Sequence, residues 1–177
     1  DGSSIVSGSF RGTASFGAAG NLTYAAGNGF VGKLMSNGVW AWVAQFGGPG
    51  SHGGYGIAAQ ADGSSIVTGY FTASWKPATF GTVGTLTSAG DSDGFVGKLT
   101  PSGDWAWVSQ FGGALMDQGS SIVAQADGSS IVSGSFRGTA SFGAAGPLST
   151  LTAAGYVDGF VGKVTPSGDW LWVTRVG

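Results

Sequence analysis

Short apolar runs rich in Ile, Val, Phe and Trp alternate with glycine-rich turns along the whole chain. Four runs form a set, and one such set lies at 54–61, 65–71, 93–99 and 105–111. An Asp-Gly pair joins the first two runs, which is typical of a β-hairpin. A Pro-Ser-Gly-Asp turn joins the last two runs. The pattern therefore predicts an all-β fold in which each set forms a four-stranded antiparallel sheet.

The set of four runs recurs with a fixed period. Phe30, Phe95 and Phe160 lie 65 residues apart, and a Trp-x-Trp-Val sequence begins ten residues after each of them. A fixed period of this length is typical of an array built from one supersecondary unit. We therefore predict three repeats in one continuous array rather than three separate domains. The three units are residues 1–53, which lack the first strand, 54–117 and 118–177.

A longer connection separates the second and third runs of each unit. It spans 11–27, 72–92 and 137–157. Two short motifs recur within it, Thr-Ala-Ser-Phe-Gly and Leu-Thr-x-Ala. Their spacing predicts a small accessory hairpin in each unit.

Apolar residues occupy both faces of several predicted strands. By strict alternation Trp105 and Trp107 lie on one face of their strand, while Ala106 and Val108 lie on the other. Sheets buried on both faces by copies of themselves are typical of β-propeller blades, whereas a two-layer sandwich leaves one face wet. Propellers have about four to eight blades. Three units therefore predict either part of a longer chain or a partial ring that another copy completes, so the expected partners are further blades or other copies of itself.

The composition narrows the possible functions. Only 9% of residues are charged, the formal net charge is −2, and Lys and Arg together number 7, so no basic surface for nucleic acid is expected. No apolar run is long enough to cross a bilayer as a helix, so no membrane partner is expected. The chain has no Cys and no Glu, and its 36 glycines suit tight turns. A glycine- and serine-rich β-repeat of such low charge favours an extracellular or cell-surface location.

Three motifs of the second unit resemble a known repeat. They are Gly-Ile-Ala at 56–58, Asp-Gly-Phe-Val-Gly-Lys-Leu at 93–99, and Trp-Ala-Trp-Val-Ser-Gln-Phe-Gly-Gly at 105–113. Together they resemble the SBBP-type bacterial β-propeller repeat over almost the whole chain. The chain departs from that pattern at Gly97, where Ala is usual, in its doubled Trp and in the length of the 11–27 connection. The resemblance implies a four-stranded blade with the Gly-Ile-Ala run innermost, and it implies no enzymatic activity.

One lysine recurs in phase in every unit, at Lys33, Lys98 and Lys163. These ammonium groups could form a ring that faces an anion or a sugar. Alternatively, each lysine pairs with a nearby carboxylate, Asp93 or Asp158, or extends its charged end past a blade edge into solvent.

The acidic residues suggest a calcium loop only in part. Asp91 to Gly94 reads Asp-Ser-Asp-Gly, which begins such a loop, but the Glu that would complete it is absent. The alternative is that Asp93 and Asp158 cap turns. His52 is the only histidine, and we interpret it and Asp117 as loop residues. No metal site, cofactor or catalytic triad is therefore predicted.

The recurring Trp pairs could form sugar-stacking platforms or fill the wedge between blades. Trp75 differs from them, because it lies in an insertion (72–77) that the other units lack. It is the best single candidate for a contact residue. The candidate ligand-binding residues are Trp75, Lys33, Lys98, Lys163, Asp93 and Asp158.

Taken together, these features predict a non-enzymatic structural or adhesive β-propeller segment of a large extracellular bacterial protein. The alternative is a carbohydrate-binding, lectin-like propeller with repeated sites between blades. A hydrolase or lyase is disfavoured, because no carboxylate pair and no nucleophile with its base stands out in the sequence.

Overall fold

The computed structural model describes residues 2–72, 76–143 and 150–177, apart from the side chains of residues 25 and 26. Within these residues it contains antiparallel β-sheets and one single-turn 3-10 helix, Gly17–Ala19, which confirms the all-β prediction. No helix of the described part is long and apolar enough to cross a membrane. The described strands are β1 Ser4–Ser15, β2 Asn21–Leu34, β3 Trp40–Gly47, β4 His52–Ala59, β5 Ser65–Phe71, β6 Ala78–Phe80, β7 Thr85–Leu86, β8 Asp93–Leu99, β9 Trp105–Gly113, β10 Gln118–Ala124, β11 Ser130–Phe136, β12 Thr139–Ser141, β13 Thr150–Thr152, β14 Asp158–Val164 and β15 Trp170–Val176.

The second and third units have the same strand order and the same register. Strands β4, β5, β8 and β9 are neighbours in that order, and β10, β11, β14 and β15 repeat the arrangement. Ile66 lies opposite Lys98 in one unit, and Ile131 lies opposite Lys163 in the other. The first unit contains β1, β2 and β3, which match the second, third and fourth strands. The strands thus lie close to the positions that the sequence pattern predicts.

The tight turns follow from residues that tolerate a left-handed backbone. Gly63, in the Asp-Gly turn, has a φ of 81°, a conformation that costs glycine little because it has no Cβ. Asp62 fixes the same turn, because its side chain accepts a hydrogen bond from the Ser64 backbone N–H at 2.9 Å. The turn between β8 and β9 has Gly103 at a φ of 92° in the matching place. These turns set the register of each hairpin.

The accessory hairpins pair with a neighbouring sheet. Strands β6 and β7 pair with each other as predicted, but β6 also pairs with β3 of the first unit, where Phe80 lies opposite Phe46. Strands β12 and β13 likewise join β9 of the second unit, where Ser141 lies opposite Gly112. Each hairpin therefore adds two strands to the sheet of the preceding unit. In the first unit the matching residues instead extend β1 and β2, with Thr13 opposite Thr23.

A β-bulge separates the two tryptophans of each Trp-x-Trp motif. In β9 the register skips one residue, since Leu99 lies opposite Trp105 and Lys98 lies opposite Trp107. The expectation that both side chains share one face is therefore wrong. Trp105 packs against Phe46 of the preceding unit, with ring centroids 5.7 Å apart, whereas Trp107 donates a hydrogen bond to a residue of the following unit. The bulge supplies the extra residue that turns one side chain over.

The hydrophobic core lies between neighbouring sheets. One cluster combines Val31 and Phe46 of the first unit with Val67 and Phe95 of the second. The other cluster combines residues of the second unit, such as Phe111, with residues of the third. Every sheet thus buries apolar area against its neighbour, as expected for a stacked array.

Candidate functional site: the repeated junction between units

Each aromatic contact between units centres on one phenylalanine near the end of the fourth strand. Phe111 is 1% exposed, and its ring stacks on Phe142 at a centroid distance of 5.2 Å with an interplanar angle of 8°. It also meets Phe160 and Trp170 edge to face, at 5.0 and 5.5 Å. Such aromatic geometries stabilise packing beyond simple area burial. We call this set of contacts the aromatic junction.

The first and second units share the same aromatic junction. Phe46 stacks on Phe80 at 5.4 Å and meets Phe95 and Trp105 edge to face, at 5.0 and 5.7 Å. Phe46 lies across from Gly29 in the sheet, where a Cβ would collide with the ring. Glycine at this position therefore lets the ring lie over the strand and reach the neighbouring unit.

The second tryptophan of each motif makes a further contact between units. The Nε1 of Trp42 donates a hydrogen bond to the Pro101 carbonyl at 3.0 Å, and that of Trp107 donates to the Pro166 carbonyl at 2.9 Å. The ring of Trp107 also lies against Gly168, where an added Cβ would be 2.8 Å from the nearest ring atom. This Trp therefore holds the turn that precedes the fourth strand of the following unit.

The structure assigns new partners to the predicted lysines. Lys98 forms an ion pair with Asp62 at 3.2 Å, and Lys163 forms one with Asp127 at 3.2 Å. The expected pairing with Asp93 or Asp158 is therefore wrong, because those carboxylates lie at the other end of the same strands. Lys33 occupies the matching position in β2 and is half-buried.

Hydrogen bonds stabilise the carboxylates that pair with these lysines. Hydrogen bonds from Ser64, and then the contact with Lys98, lower the pKa of Asp62 to about 2. Ser129 and Lys163 act in the same way on Asp127 and lower its pKa to about 2. Each of these two lysines therefore forms an ion pair with the aspartate of the Asp-Gly turn in its own unit.

Replacing Lys98 with methionine is expected to lower the free energy of unfolding by less than about 1 kcal/mol. Asp62 is largely exposed to solvent, and exposed ion pairs contribute little to stability. Urea unfolding followed by tryptophan fluorescence measures the difference. A loss of several kcal/mol would contradict this peripheral role.

Asp93 and Asp158 cap turns. Asp158 accepts a hydrogen bond from the Ala154 backbone N–H at 2.8 Å, and Asp93 accepts one from that of Ala89 at 3.2 Å. Asp158 also forms an ion pair with Arg175 at 3.5 Å. Burial raises the pKa of Asp93. Within the described ranges, no group of three or more His, Cys, Asp or Glu side chains is arranged to hold a metal ion.

Two residues that sequence analysis interpreted as loop residues are buried at the junctions. His52 and Asp117 are each 1% exposed and lie 65 residues apart, His52 as the first residue of β4 and Asp117 directly before β10. His52 lies beside Asn28, and its Nε2 is 3.0 Å from the Gly48 carbonyl oxygen. Burial lowers the pKa of His52. The sequence shows that positions 52 and 117 match in the repeat, but it does not show that the two side chains are buried.

The second junction contains a carboxylate pair that the sequence did not suggest. Asp117 accepts hydrogen bonds from the backbone N–H of Gly113 at 2.7 Å and of Arg137 at 3.1 Å. A Cβ on Gly112 would lie 2.8 Å from Asp93 Cγ and 2.9 Å from Asp117 Oδ2, so the two carboxylates flank this glycine. Burial, and to a smaller extent the charge of Asp93, raises the pKa of Asp117 to about 6.

The predicted ligand-binding residues that the structure describes do not form one cluster. Asp93 and Lys98 are five residues apart on one strand, so they lie about 16 Å apart along it and point to opposite faces. Trp75 lies outside the described residues. The structure instead brings together Asp93, Gln110, Thr139 and Ser141 around an open hollow with a volume of about 430 Å³. A smaller hollow of about 210 Å³ occupies the matching place at the first junction.

Comparison with protein-family models and with curated protein sequences finds no match to this chain.

Proposed function

We propose that this chain is a non-enzymatic structural or adhesive segment of a large extracellular bacterial protein, and that its three units are β-propeller blades of the SBBP type. Two observations support blades: the four-strand order of the second and third units, and burial of both faces of the second unit's sheet, which lies between the other two. The low charge and the glycine- and serine-rich β-repeat favour the extracellular setting.

The observation that carries this proposal is that the recurring residues contact one another within and between units. The repeated Phe and Trp side chains pack into the two aromatic junctions. Trp107 donates its indole N–H to the Pro166 carbonyl, so this group is not available to a ligand. Lys98 and Lys163 form ion pairs within their own units. A repeated ligand site would instead leave such groups directed toward a shared opening.

A binding screen with a stability readout tests the scaffold proposal. We expect no saturable heat with simple mono- and disaccharides in calorimetry and no signal on a glycan array. Trp107→Phe is expected to lower the melting temperature, because it removes a hydrogen bond between units. Saturable sugar binding that Lys98→Met or Trp107→Phe weakens, with an unchanged melting temperature, would overturn the proposal.

A second candidate function is carbohydrate binding, and the hollows beside the junctions favour it. The larger hollow is lined by Asp93, Gln110, Thr139 and Ser141, and the exposed hydroxyls of Thr139 and Ser141 are polar groups suited to sugar hydroxyls. The smaller hollow is lined by Gln45 and Thr79, so a similar polar hollow occurs at both junctions.

The hollow can be tested separately from the scaffold. If sugars bind there, the double variant Thr139→Val and Ser141→Ala should lose binding. Ser102→Ala, in an exposed turn, is the matched control and should bind like the unmodified chain. Equal binding by both variants would exclude the hollow as the site.

A further inference from the structure

The first unit presents an aromatic cluster that is covered on one side only. Phe16, Phe30 and Trp40 contact one another with centroids 5.1 to 6.4 Å apart, as the matching rings do in the other units. Phe30 and Trp40 are half-buried, although their counterparts in the second and third units are buried. In the second unit, Phe46 of the preceding sheet covers this place. In the first unit, no phenylalanine of a preceding sheet covers the matching aromatic cluster within the described residues.

Two further positions of the first unit are open in the same way. Gly38 has no atom within 4 Å of the place where a Cβ would lie, whereas the ring of Trp42 covers its counterpart Gly103. Ala14 is half-buried, while its counterparts are fully buried under the preceding sheet. We call the surface formed by Ala14, Phe16, Phe30, Gly38 and Trp40 the head face.

The third unit presents the complementary side chains at the other end of the array. Val176 occupies the position of Phe46 and Phe111 and is 58% exposed. Trp172 occupies the position of Trp42 and Trp107 and is 38% exposed. We call the surface formed by these two residues the tail face. Their counterparts in the other units are the residues that contact the following unit.

We propose that the tail face of one copy of this chain binds the head face of a second copy and repeats the internal junction. Both internal junctions give the same register. In the first, Phe80 lies opposite Phe46 and Thr79 lies opposite Gly47. In the second, Ser141 lies opposite Gly112, and these two residues occupy the positions of Thr79 and Gly47. By the same rule Val176 lies opposite Phe16 of the second copy.

The tryptophan contact extends the same register to the preceding turn. Trp42 and Trp107 each donate to the carbonyl of the residue before the Ser-Gly pair of the following unit. Ser36 occupies that position in the first unit, so Trp172 donates its Nε1–H to the Ser36 carbonyl of the second copy. This inference rests on the repeated junction and goes beyond the proposed function, because it holds whether or not a sugar binds.

A head-to-tail contact of this kind joins unlike surfaces, so it closes into a ring or grows into a filament. Two copies supply six units, which lies within the range of about four to eight blades found in closed propellers. Contact between the faces also covers the outer edge of β15, which would otherwise be open to unwanted pairing.

The experiment uses one variant for each face and a matched control. Val176→Asp places a charge on the tail face, and Ala14→Asp places one on the head face. Both residues are at least partly exposed, so the single chain keeps its fold, which circular dichroism checks. Leu171→Asp is the control, because Leu171 is 57% exposed and its counterparts Ala41 and Ala106 are exposed even inside the array. Sedimentation velocity and native mass spectrometry measure the mass.

The unmodified chain and Leu171→Asp are expected to associate, whereas each face variant alone stays a single chain. An equimolar mixture of the two face variants should form one species of two chains, since one intact head and one intact tail remain. Val176→Phe, which restores the phenylalanine of the other units, should tighten association about tenfold. A single-chain mass for the unmodified protein up to about 1 mM, or association that persists in both face variants, would overturn the proposal.

Discussion

Replacing Phe111 with alanine is expected to lower the free energy of unfolding by about 3–5 kcal/mol, the usual cost of removing a buried aromatic ring. The ring contacts Phe142, Phe160 and Trp170, all of which belong to the third unit. Its loss therefore leaves a cavity between two sheets that no single unit can close. Urea unfolding, followed by fluorescence and by circular dichroism, measures the change.

The matched control for this variant is Val176→Ala, at the same position of the last unit. Val176 is exposed within one chain, so the substitution should change the free energy of unfolding by no more than about 0.5 kcal/mol at dilute concentration. If Phe111→Ala cost as little as Val176→Ala, the units would not share a core. Separate unfolding transitions for the two probes in the unmodified chain would lead to the same conclusion.

The strands and turns could be predicted from the sequence because their signals are local. An Asp-Gly pair between two apolar runs specifies a hairpin without reference to the rest of the chain. The period supplied a second source of information, since weak signals at one unit are reinforced at the other two. Strands β5, β8 and β9 therefore lie close to the predicted runs at 65–71, 93–99 and 105–111.

The features that the sequence did not reveal depend on contacts between units. Strict alternation placed Trp105 and Trp107 on one face, but the bulge turns Trp105 toward the preceding sheet. The accessory hairpin was predicted, but its pairing with the preceding sheet was not, because its few residues carry no information about which sheet edge they join. Non-local pairing of short strands is set by packing rather than by local propensity.

At the candidate site, too, the local pattern was visible in the sequence but the spatial contacts were not. The recurring lysines were visible in the sequence, yet their partners are the turn carboxylates Asp62 and Asp127 rather than Asp93 and Asp158. A strand places residues an odd number of positions apart on opposite faces, which separates Lys98 from Asp93. The buried residue Asp117 was missed because burial at a junction arises only when two sheets meet.

The pH dependence of stability is expected to have opposite signs at the two junctions. Burial raises the pKa of Asp117 from its ordinary value of 3.8 to about 6, so the folded chain holds this proton more tightly than the unfolded chain. The contribution of Asp117 to the free energy of unfolding is fully present below about pH 4 and is lost as the pH rises through about 6. The loss amounts to about 3 kcal/mol, since one pKa unit corresponds to about 1.4 kcal/mol.

His52 occupies the matching place at the first junction and acts in the opposite direction. Burial lowers its pKa from the ordinary value of 6.5, so the folded chain favours the neutral ring. Its contribution to stability is present above pH 6.5 and is lost as the pH falls below that value. Burial also raises the pKa of Asp93, which adds to the trend expected from Asp117.

Differences between variants and the unmodified chain separate these contributions, because groups that do not interact with the substituted residue cancel. The free energy of unfolding of Asp117→Asn, minus that of the unmodified chain, should rise by about 3 kcal/mol between pH 4 and pH 7. The same difference for His52→Asn should rise as the pH falls below 6.5. Urea unfolding at half-unit steps of pH gives both curves. A flat curve for Asp117→Asn would show that the Asp117 carboxylate titrates as it does in water, and hence that the second junction admits solvent.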